Sequence, residues 1–253
     1  MIRIAVIDIG TNTIKLLIAR QEGNLFKSEH FNRLPAQLGK GGMESGCITP
    51  EAIQRGMDIL SQFNADCISR EVDTIKVTAT SAVRSASNGM DFVKKVKDEI
   101  GLEIEVIDGD REAELIWKGV RLTGLLDAEP SLIMDIGGGS TEFIIADSKE
   151  VIWKKSYDLG VTRIAERFKA PDPFDEASEA KMILELEEDM EELWQALHFH
   201  PVKCLIGASG SFNSVSLMLA QGDEASLPEI WEQIDINEYS FLSDRLRRSD
   251  FES

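Results

Sequence analysis

The sequence contains few cysteines and few histidines, three of each among its 253 residues. Cys47, Cys67 and Cys204 lie far apart, so they form neither a disulfide framework nor the spacing of a zinc site. No cysteine or acidic cluster accompanies His198 and His200, and we interpret both as ordinary helix-end residues. These absences indicate reduced thiols and predict a cytoplasmic location.

Long hydrophobic runs are also missing. No apolar stretch approaches the roughly 20 residues that a membrane helix needs. Asp8 interrupts the N-terminal segment, where a signal peptide requires continuous hydrophobicity. The composition, 43% hydrophobic and 28% charged, is typical of a soluble globular protein with one large domain or two ordinary ones. The sequence therefore predicts no membrane partner.

Positive charge is scarce, since 27 basic residues face 45 acidic ones and the net charge is −18. This balance argues against a nucleic-acid partner or an anionic membrane surface, although it leaves room for a local anion site. The charge is uneven, with −3 up to residue 118 and −15 beyond it. Ten of the acids lie in residues 172–192, which we interpret as the solvated face of a helix predicted over Glu176–Leu197.

The chain contains an internal repeat. Residues 8–19 align with residues 135–146 without a gap, at an offset of 127. Both copies contain Asp-Ile-Gly followed by a hydroxyl residue, and each lies between two β-rich runs that predict a hairpin. A third strand follows each hairpin, and helices alternate with further buried strands. The predicted order is βββαβαβα and then βββααβα.

Two copies of one mixed α/β unit are the simplest architecture for this pattern. We expect lobes at residues 1–122 and 123–253, joined through a segment near residues 119–130 that contains Gly124 and Pro130. Two lobes with matching loops imply a cleft between them, which is a common place for a ligand.

The second copy of the repeat, Asp135–Glu142, has three consecutive glycines in a tight turn. Such a turn permits positive φ angles and lets successive backbone N–H groups bind an anion. Ser140 and Thr141 add hydroxyl donors, while Asp135 and Glu142 are suitable ligands for Mg²⁺, a hard cation that prefers oxygen. A simple glycine-rich hairpin is the alternative. The matching loop after Asp8 favours two phosphate loops instead.

Two further corners between a strand and a helix contain suitable anion contacts. Arg84, after the strand predicted at Ile75–Ala79, can clamp a phosphate with its guanidinium group, or it can be a surface arginine paired with an acid. Gly207–Ser211 is the corresponding corner of the second half. It predicts another anion or nucleotide contact, with a plain glycine-containing turn as the alternative.

Phosphoryl transfer to water also needs a carboxylate that orients the water or takes its proton. The candidates lie in the segment Asp108–Glu114, at the start of a helix. Glu112 and Glu114 point about 200° apart on a helix, so they cannot share one role. Their spacing does not choose between them, and both acids can also simply favour the helix dipole.

These segments together resemble the exopolyphosphatase/guanosine-pentaphosphate phosphatase family of the actin-like ATPase superfamily. The resemblance covers nearly the whole chain. It predicts an α/β fold of two duplicated ribonuclease H-like lobes, with mixed five-stranded sheets around an interdomain cleft. Because the family continues beyond the position of Ser253, we expect the second lobe to be short of a strand. The matching segments are Asp8–Thr13, Ala79–Arg84, Gly109–Ala113, Asp135–Glu142, Leu159–Arg163 and Gly207–Ser211.

The resemblance also implies roles for individual residues. Glu112 matches the catalytic glutamate that activates the attacking water. Asp135 and Glu142 match the magnesium-associated acids, and Asp8 is the corresponding acid of the first copy. Arg111 departs from the family, which often has a glutamate there; a base at this position can lower the pKa of the catalytic acid or bind the polyanion. The phosphate-binding residues predicted in this way are Gly10, Thr11, Asn12, Thr13, Ser81, Arg84, Gly137, Gly138, Gly139, Ser140, Thr141, Gly207, Ser209, Gly210 and Ser211.

The predicted function is that of a Mg²⁺-dependent phosphohydrolase. Its expected substrate is inorganic polyphosphate, a guanosine penta- or tetraphosphate, or both, and the sequence does not choose among them. A small-molecule kinase of the same superfamily is one alternative, which would consume ATP only with an acceptor present. A non-catalytic nucleotide switch, similar to actin or a chaperone, is another. Two-lobed proteins of this type can also pair as homodimers.

Overall fold

The computed structural model describes residues 2–23, 25–169, 171, 174–223 and 231–249. Contacts group the chain into two compact units, each made of several segments. The first unit comprises Met1–Glu112, Gly137–Ser140 and Asp158–Glu166, and the second comprises Ala113–Ile136, Thr141–Tyr157 and Arg167–Ser253. The lobe boundary predicted at residue 122 stays a prediction.

A five-stranded mixed sheet forms the centre of the first unit, in the order β3-β2-β1-β4-β5. Strands β1, β2 and β3 form two successive antiparallel pairs, whereas β4 and β5 run parallel to β1. Because β1, β4 and β5 are parallel, the loops that follow them lie at one edge of the sheet. The strands are β1 (Arg3–Ile9), β2 (Thr13–Glu22), β3 (Leu25–Pro35), β4 (Thr74–Ala79) and β5 (Ile104–Val106).

The four helices of the first unit follow β3, β4 and β5 along the chain. Thr49 caps the first helix, since its Oγ1 accepts a hydrogen bond from the Ala52 amide at 3.2 Å, and Pro50 occupies the first turn. The last of these helices continues from the first unit into the second. The helices are α1 (Pro50–Ser69), α2 (Ser81–Ser85), α3 (Gly89–Ile100) and α4 (Gly109–Leu122).

Alternating apolar residues of β1 and β2 build the core of the first unit. Ile7 and Ile9 on β1 and Leu16 on β2 are fully buried, and Leu60 and Phe63 of α1 belong to the same cluster. A period of two places these strand residues on one face of the sheet. This packing fixes the strands and therefore the positions of the loops at their carboxyl ends.

The second unit contains a four-stranded sheet in the order β8-β7-β6-β9. Its first three strands are antiparallel neighbours and β9 runs parallel to β6, so the sheet repeats the arrangement of β3-β2-β1-β4. Within the described ranges, no strand of the second sheet corresponds to β5. The predicted fold class, a duplicated ribonuclease H-like α/β architecture, is confirmed. The strands are β6 (Ser131–Ile136), β7 (Thr141–Ala146), β8 (Val151–Tyr157) and β9 (Leu205–Ala208).

The acidic segment of the second unit forms two helices, so the single helix predicted over Glu176–Leu197 is wrong. The helical conformation is interrupted at Met190, which is the C-cap residue of one helix and the N-cap residue of the next. Like charges four residues apart, such as Glu187 with Glu191, disfavour a continuous helix here. The helix before the break buries none of its side chains, as expected for a solvated acidic face. The helices are α5 (Val161–Phe168), α6 (Glu176–Asp189), α7 (Glu191–Phe199), α8 (Gly210–Leu219) and α9 (Ile236–Arg248).

None of the helices in the described part of the chain combines the length and the apolar character needed to cross a bilayer.

Candidate active site

The loop between β1 and β2 exposes backbone N–H groups. Gly10 N donates to Thr13 O at 3.0 Å and closes the turn, and Gly39 N donates to Thr11 O at 3.2 Å. The carbonyl of Asn12 also accepts hydrogen bonds from the segment after β3. Among the described residues, no hydrogen bond uses the amide N–H of Thr11 or Asn12. These two donors are therefore available to an anion.

The loop between β6 and β7 has the same internal hydrogen bond. Gly137 N donates to Ser140 O at 2.9 Å, at the positions that correspond to Gly10 and Thr13 with the offset of 127. The repeat seen in the sequence thus extends to the backbone geometry of the two loops.

Residues at the start of α5 hold the carbonyl groups of this second loop. Thr162 N donates to Gly138 O at 2.8 Å, and Arg163 Nε donates to Gly139 O at 3.0 Å. No hydrogen bond within the described part of the chain uses the amide N–H of either glycine. Because the carbonyls are fixed on one side, the N–H groups form a second set of anion donors.

The two loops meet within the first unit. Thr162 Oγ1 donates to Asn12 Oδ1 at 2.8 Å and connects one loop to the other. A Cβ atom on Gly139 would lie 2.5 Å from Ser81 Oγ and 2.7 Å from Thr11 Oγ1. The space beside Gly139 is therefore bordered by both loops and by the first turn of α2.

Ser81 contributes a buried hydroxyl group to this space. The residue is only 2% exposed, and its Oγ has no hydrogen-bond partner among the described residues. A buried polar group without a partner costs about 1–3 kcal/mol, so native proteins rarely retain one without a reason.

The structure brings Arg84 and Glu112 together at the same edge of the sheet. Arg84 Nη1 lies 3.0 Å from Glu112 Oε2 and also donates to Ile107 O at 3.0 Å. Both side chains are mostly buried, at 22% and 18% exposure. Glu114 instead pairs with Lys118 one turn further along α4. The two acids left open by the spacing are thus distinguished by their partners.

Two of the predicted magnesium ligands are cross-strand neighbours. Asp135 on β6 lies opposite Glu142 on β7; Glu142 is 1% exposed and accepts a hydrogen bond from Ser156 Oγ at 2.7 Å. Like charges directly opposite each other destabilise a sheet, and a cation removes this cost. Within the first unit, Asp8 lies 3.6 Å from Lys15 Nζ.

No group of three His, Cys, Asp or Glu residues in the described ranges is arranged to hold a metal by itself. The donor set nevertheless fits Mg²⁺, which typically uses one or two carboxylates together with water and substrate phosphate oxygens.

The Gly207–Ser211 corner has a structural contact in the second unit. Ser209 Oγ and Ser211 Oγ both donate to Ile136 O, at 3.1 Å and 3.0 Å. Ile136 directly precedes Gly137, so these hydroxyls hold the end of β6. Thr141, at the start of β7, is buried at 3% exposure. The phosphate contacts predicted for Gly207–Ser211 and for Thr141 stay predictions.

The segment Leu159–Arg163 is part of the family resemblance, but its sequence predicts no role for its residues. The structure shows that this segment supports the β6–β7 loop. A Cβ atom on Gly160 would lie 2.3 Å from Gly138 C and Gly139 N, so only glycine fits there. An isolated glycine immediately before a helical pattern is the signal that indicates such a close backbone approach.

Known proteins share both the sequence pattern and the fold. The sequence model of the Ppx/GppA phosphatase family matches residues 17–252. The chain belongs to the Ppx/GppA phosphatase family. It is similar to the crystal structure of an exopolyphosphatase from Cytophaga hutchinsonii, with a TM-score of 0.94 and 36% identity over 98% of this chain and 80% of that one. It has the same fold as the Ppx/GppA enzyme of Aquifex aeolicus, with a TM-score of 0.81 and 23% identity over 99% of this chain and 82% of that one.

Membership of the Ppx/GppA family confirms the predicted resemblance and indicates a phosphatase. The two amide-lined loops, Arg84 and Glu112 form the candidate site of this family member. The individual roles of these residues are matters for the proposal below.

Proposed function

We propose that this chain is a Mg²⁺-dependent phosphohydrolase that releases the terminal phosphate of inorganic polyphosphate, the 5′-γ-phosphate of pppGpp, or both. The family supports phosphatase chemistry, and the similar protein from Cytophaga hutchinsonii is described as an exopolyphosphatase.

The convergence of both repeat loops on Ser81 carries this proposal. The N–H groups of Thr11, Asn12, Gly138 and Gly139 have no backbone acceptor among the described residues. Ser81 adds a buried hydroxyl without a partner. A tetrahedral phosphate group, with several acceptor oxygens, matches such a set of convergent donors.

Glu112 is the candidate group that orients the attacking water. Its carboxylate is positioned by Arg84, whose guanidinium group is itself anchored to the Ile107 carbonyl. A phosphate bound at the loops would attract the same guanidinium group, which can then stabilise charge on the phosphate while Glu112 accepts a proton from water. Both roles depend on α4, which carries Glu112, and on the β5–α4 loop, whose residue Ile107 anchors Arg84.

Asp135 and Glu142 are the residues that would hold Mg²⁺. When bound, this ion would neutralise part of the negative charge on the phosphate oxygens. Asp8 is a further candidate within the first unit, where Lys15 lies beside it.

A comparison of three substrates tests the proposal. Phosphate release is measured with long-chain polyphosphate, pppGpp and ATP, each with and without Mg²⁺. We expect Mg²⁺-dependent release from polyphosphate or pppGpp. Release from neither would contradict the proposal, consumption of ATP only with an acceptor would indicate a kinase, and tight ATP binding without turnover would indicate a nucleotide switch.

A matched pair of substitutions tests the role of Glu112. We expect Glu112→Gln to lower kcat by at least about 100-fold, which is the usual lower bound for removing a general base. Glu114→Gln makes the same chemical change on the same helix, at an acid that pairs with Lys118, so its kcat should stay within about twofold of wild type. Equal rates for the two variants would remove Glu112 from the mechanism.

A further inference from the structure

A glycine-rich loop, residues 39–46, follows β3 in the first unit. It folds on itself, since Gly42 N donates to Gly39 O at 3.0 Å and Cys47 N donates to Gly42 O at 3.2 Å. Four of its eight residues are glycines. A loop with so few side chains has little apolar contact of its own to hold it in place.

The carboxylate of Glu166, near the end of α5, holds this loop from outside. Gly41 N donates to Glu166 Oε1 at 2.9 Å, and Glu44 N donates to Glu166 Oε2 at 3.1 Å. Both oxygens are therefore used, one on each amide. Hydrogen bonds to an ionised acceptor are about twice as strong as neutral ones. Gly41 has a φ of +69°, a left-handed conformation that favours glycine, so this amide is aimed by a backbone shape that other residues rarely adopt.

The same loop touches both phosphate loops. Gly39 N donates to Thr11 O at 3.2 Å, which is one of the bonds that turn the amides of the first loop toward the site. Met43 reaches the second loop, since a Cβ atom on Gly139 would lie 3.0 Å from Met43 Cε. The position of the glycine-rich loop therefore affects both sets of anion donors.

Packing on the other side of the loop is incomplete. A cavity of about 60 Å³ lies against α2, lined by Leu38, Met43, Cys47, Ala82 and Arg163 among others. On that side the end of the loop is held by Gly46 O, which accepts hydrogen bonds from Ser87 N at 2.8 Å and Ser87 Oγ at 3.0 Å. The two hydrogen bonds to Glu166 attach the middle of the loop to α5.

We propose that Glu166 is a positioning residue for phosphate binding: it holds the glycine-rich loop against Thr11 and Gly139, and so keeps the amides of both phosphate loops aimed at the substrate. This role rests on the proposed phosphohydrolase function. Glu166 itself does not contact the substrate. Loss of the attachment would weaken the binding of substrate and of transition state by the same amount. Such a change raises KM and leaves kcat nearly unchanged.

The first test measures the loop directly. Glu166→Gln keeps the size of the side chain, but its NH₂ group is a donor and cannot replace the second carboxylate oxygen as acceptor for a backbone N–H. Asp98→Asn, an exposed position on α3 in the same unit, makes the same charge change as a control. We expect the amides of Gly41 and Glu44 to exchange with deuterium at least about tenfold faster in Glu166→Gln than in wild type, and at wild-type rates in Asp98→Asn. Unchanged exchange in Glu166→Gln would overturn the proposal.

The second test measures the consequence for the substrate. With polyphosphate as substrate, we expect KM of Glu166→Gln to rise about tenfold while kcat changes less than twofold. Glu166→Asp has a shorter side chain but keeps the charge, so its KM should lie between those of wild type and Glu166→Gln. A fall in kcat without a change in KM would contradict a positioning role. If the wild-type chain releases no phosphate from any substrate, the proposed function fails, whereas the exchange measurement still decides whether Glu166 holds the loop.

A double-mutant cycle distinguishes an effect on this loop from a general loss of folding. Gly41→Ala strains the left-handed residue from the other side of the attachment, and no atom lies closer than 4.0 Å to the added Cβ. If both residues act through one loop conformation, the double variant should raise KM no more than about twofold beyond the stronger single variant. Multiplicative effects would mean that the two residues act separately.

Discussion

Ser81 illustrates how a site residue can reduce stability and still be retained. Its hydroxyl is buried and has no partner among the described residues, while it lies beside Gly139 and Thr11. A protein selected only for stability would replace such a group with an apolar one of similar size.

Ser81→Ala should therefore separate stability from binding. We expect the free energy of unfolding to stay the same or rise by up to about 1 kcal/mol, because an unsatisfied buried group is removed. We expect KM for polyphosphate to rise several-fold, because a phosphate donor is lost. Chemical denaturation and steady-state kinetics measure the two effects. Ser69→Ala, at the exposed end of α1, is the control, and a large loss of stability in Ser81→Ala would show that the hydroxyl has a structural partner.

Two glycines of similar appearance in the sequence should respond in opposite directions to alanine. Gly160→Ala would place a methyl group 2.3 Å from the backbone of Gly138 and Gly139, whereas Gly119→Ala meets nothing within 4 Å on α4. We expect Gly160→Ala to lower the free energy of unfolding by about 1–3 kcal/mol and to reduce phosphate release. Gly119→Ala should raise it by roughly 0.5–1 kcal/mol, since alanine favours a helix. Urea denaturation checks both, and equal effects would contradict the close approach at Gly160.

At the scale of the elements, the two repeat loops differ from ordinary hairpin turns in what holds them. Each loop closes with one hydrogen bond between its first and last residues, Gly10 to Thr13 and Gly137 to Ser140. Each then presents its carbonyls to a later segment of the chain, the residues after β3 in one case and the start of α5 in the other. The N–H groups of Thr11, Asn12, Gly138 and Gly139 have no backbone acceptor in the part of the chain that the structure describes.

The turn between β7 and β8 is held by a carboxylate, Asp147, and this makes the free energy of unfolding depend on pH. Asp147 Oδ1 accepts hydrogen bonds from Glu150 N at 2.9 Å and Lys149 N at 2.6 Å. These bonds, first that of Glu150 and then that of Lys149, hold the pKa of the Asp147 carboxyl below its usual value. The charged form thus stabilises the folded state above the ordinary aspartate pKa of about 3.9, and this contribution is lost as the pH falls through the lowered pKa.

Asp147→Asn should remove this pH dependence. Asparagine keeps an acceptor but not the charge, so we expect wild type to have the higher Tm at pH 6 and the difference to shrink as the pH falls below about 4. Thermal unfolding of both proteins from pH 7 to pH 3 measures this difference. A constant difference in Tm over that range would show that the charge of Asp147 does not stabilise the turn.

For the whole molecule, the net charge of −18 does not oppose a phosphate site. The described donors at the candidate site are mainly backbone amides and hydroxyls, with Arg84 as the nearby base, and they act at hydrogen-bond distances. The acidic excess is concentrated in a different part of the chain, where α6 has no fully buried side chain and Arg167 pairs with Glu185 and Asp189. Surface charge of this kind is screened by salt, whereas short hydrogen bonds are not.

From the amino-acid sequence alone one can predict the repeat, the two hairpins with their glycine loops, the α/β fold class and the family. These features follow from local patterns: alternation of apolar residues, turn residues at fixed offsets and a recurring Asp-Ile-Gly segment. The break of the acidic helix at Met190 was missed because the acidic pattern is continuous across it.

Which side chains contact each other is visible only in the folded structure. It paired Arg84 with Glu112 rather than with Glu114, left the Ser81 hydroxyl without a partner among the described residues, and placed Glu166 on the amide of Gly41, 125 residues away. Periodicity gives the face of an element, but not the neighbour that packs against it. Such contacts join residues far apart in the chain, so they depend on how the strands and helices pack.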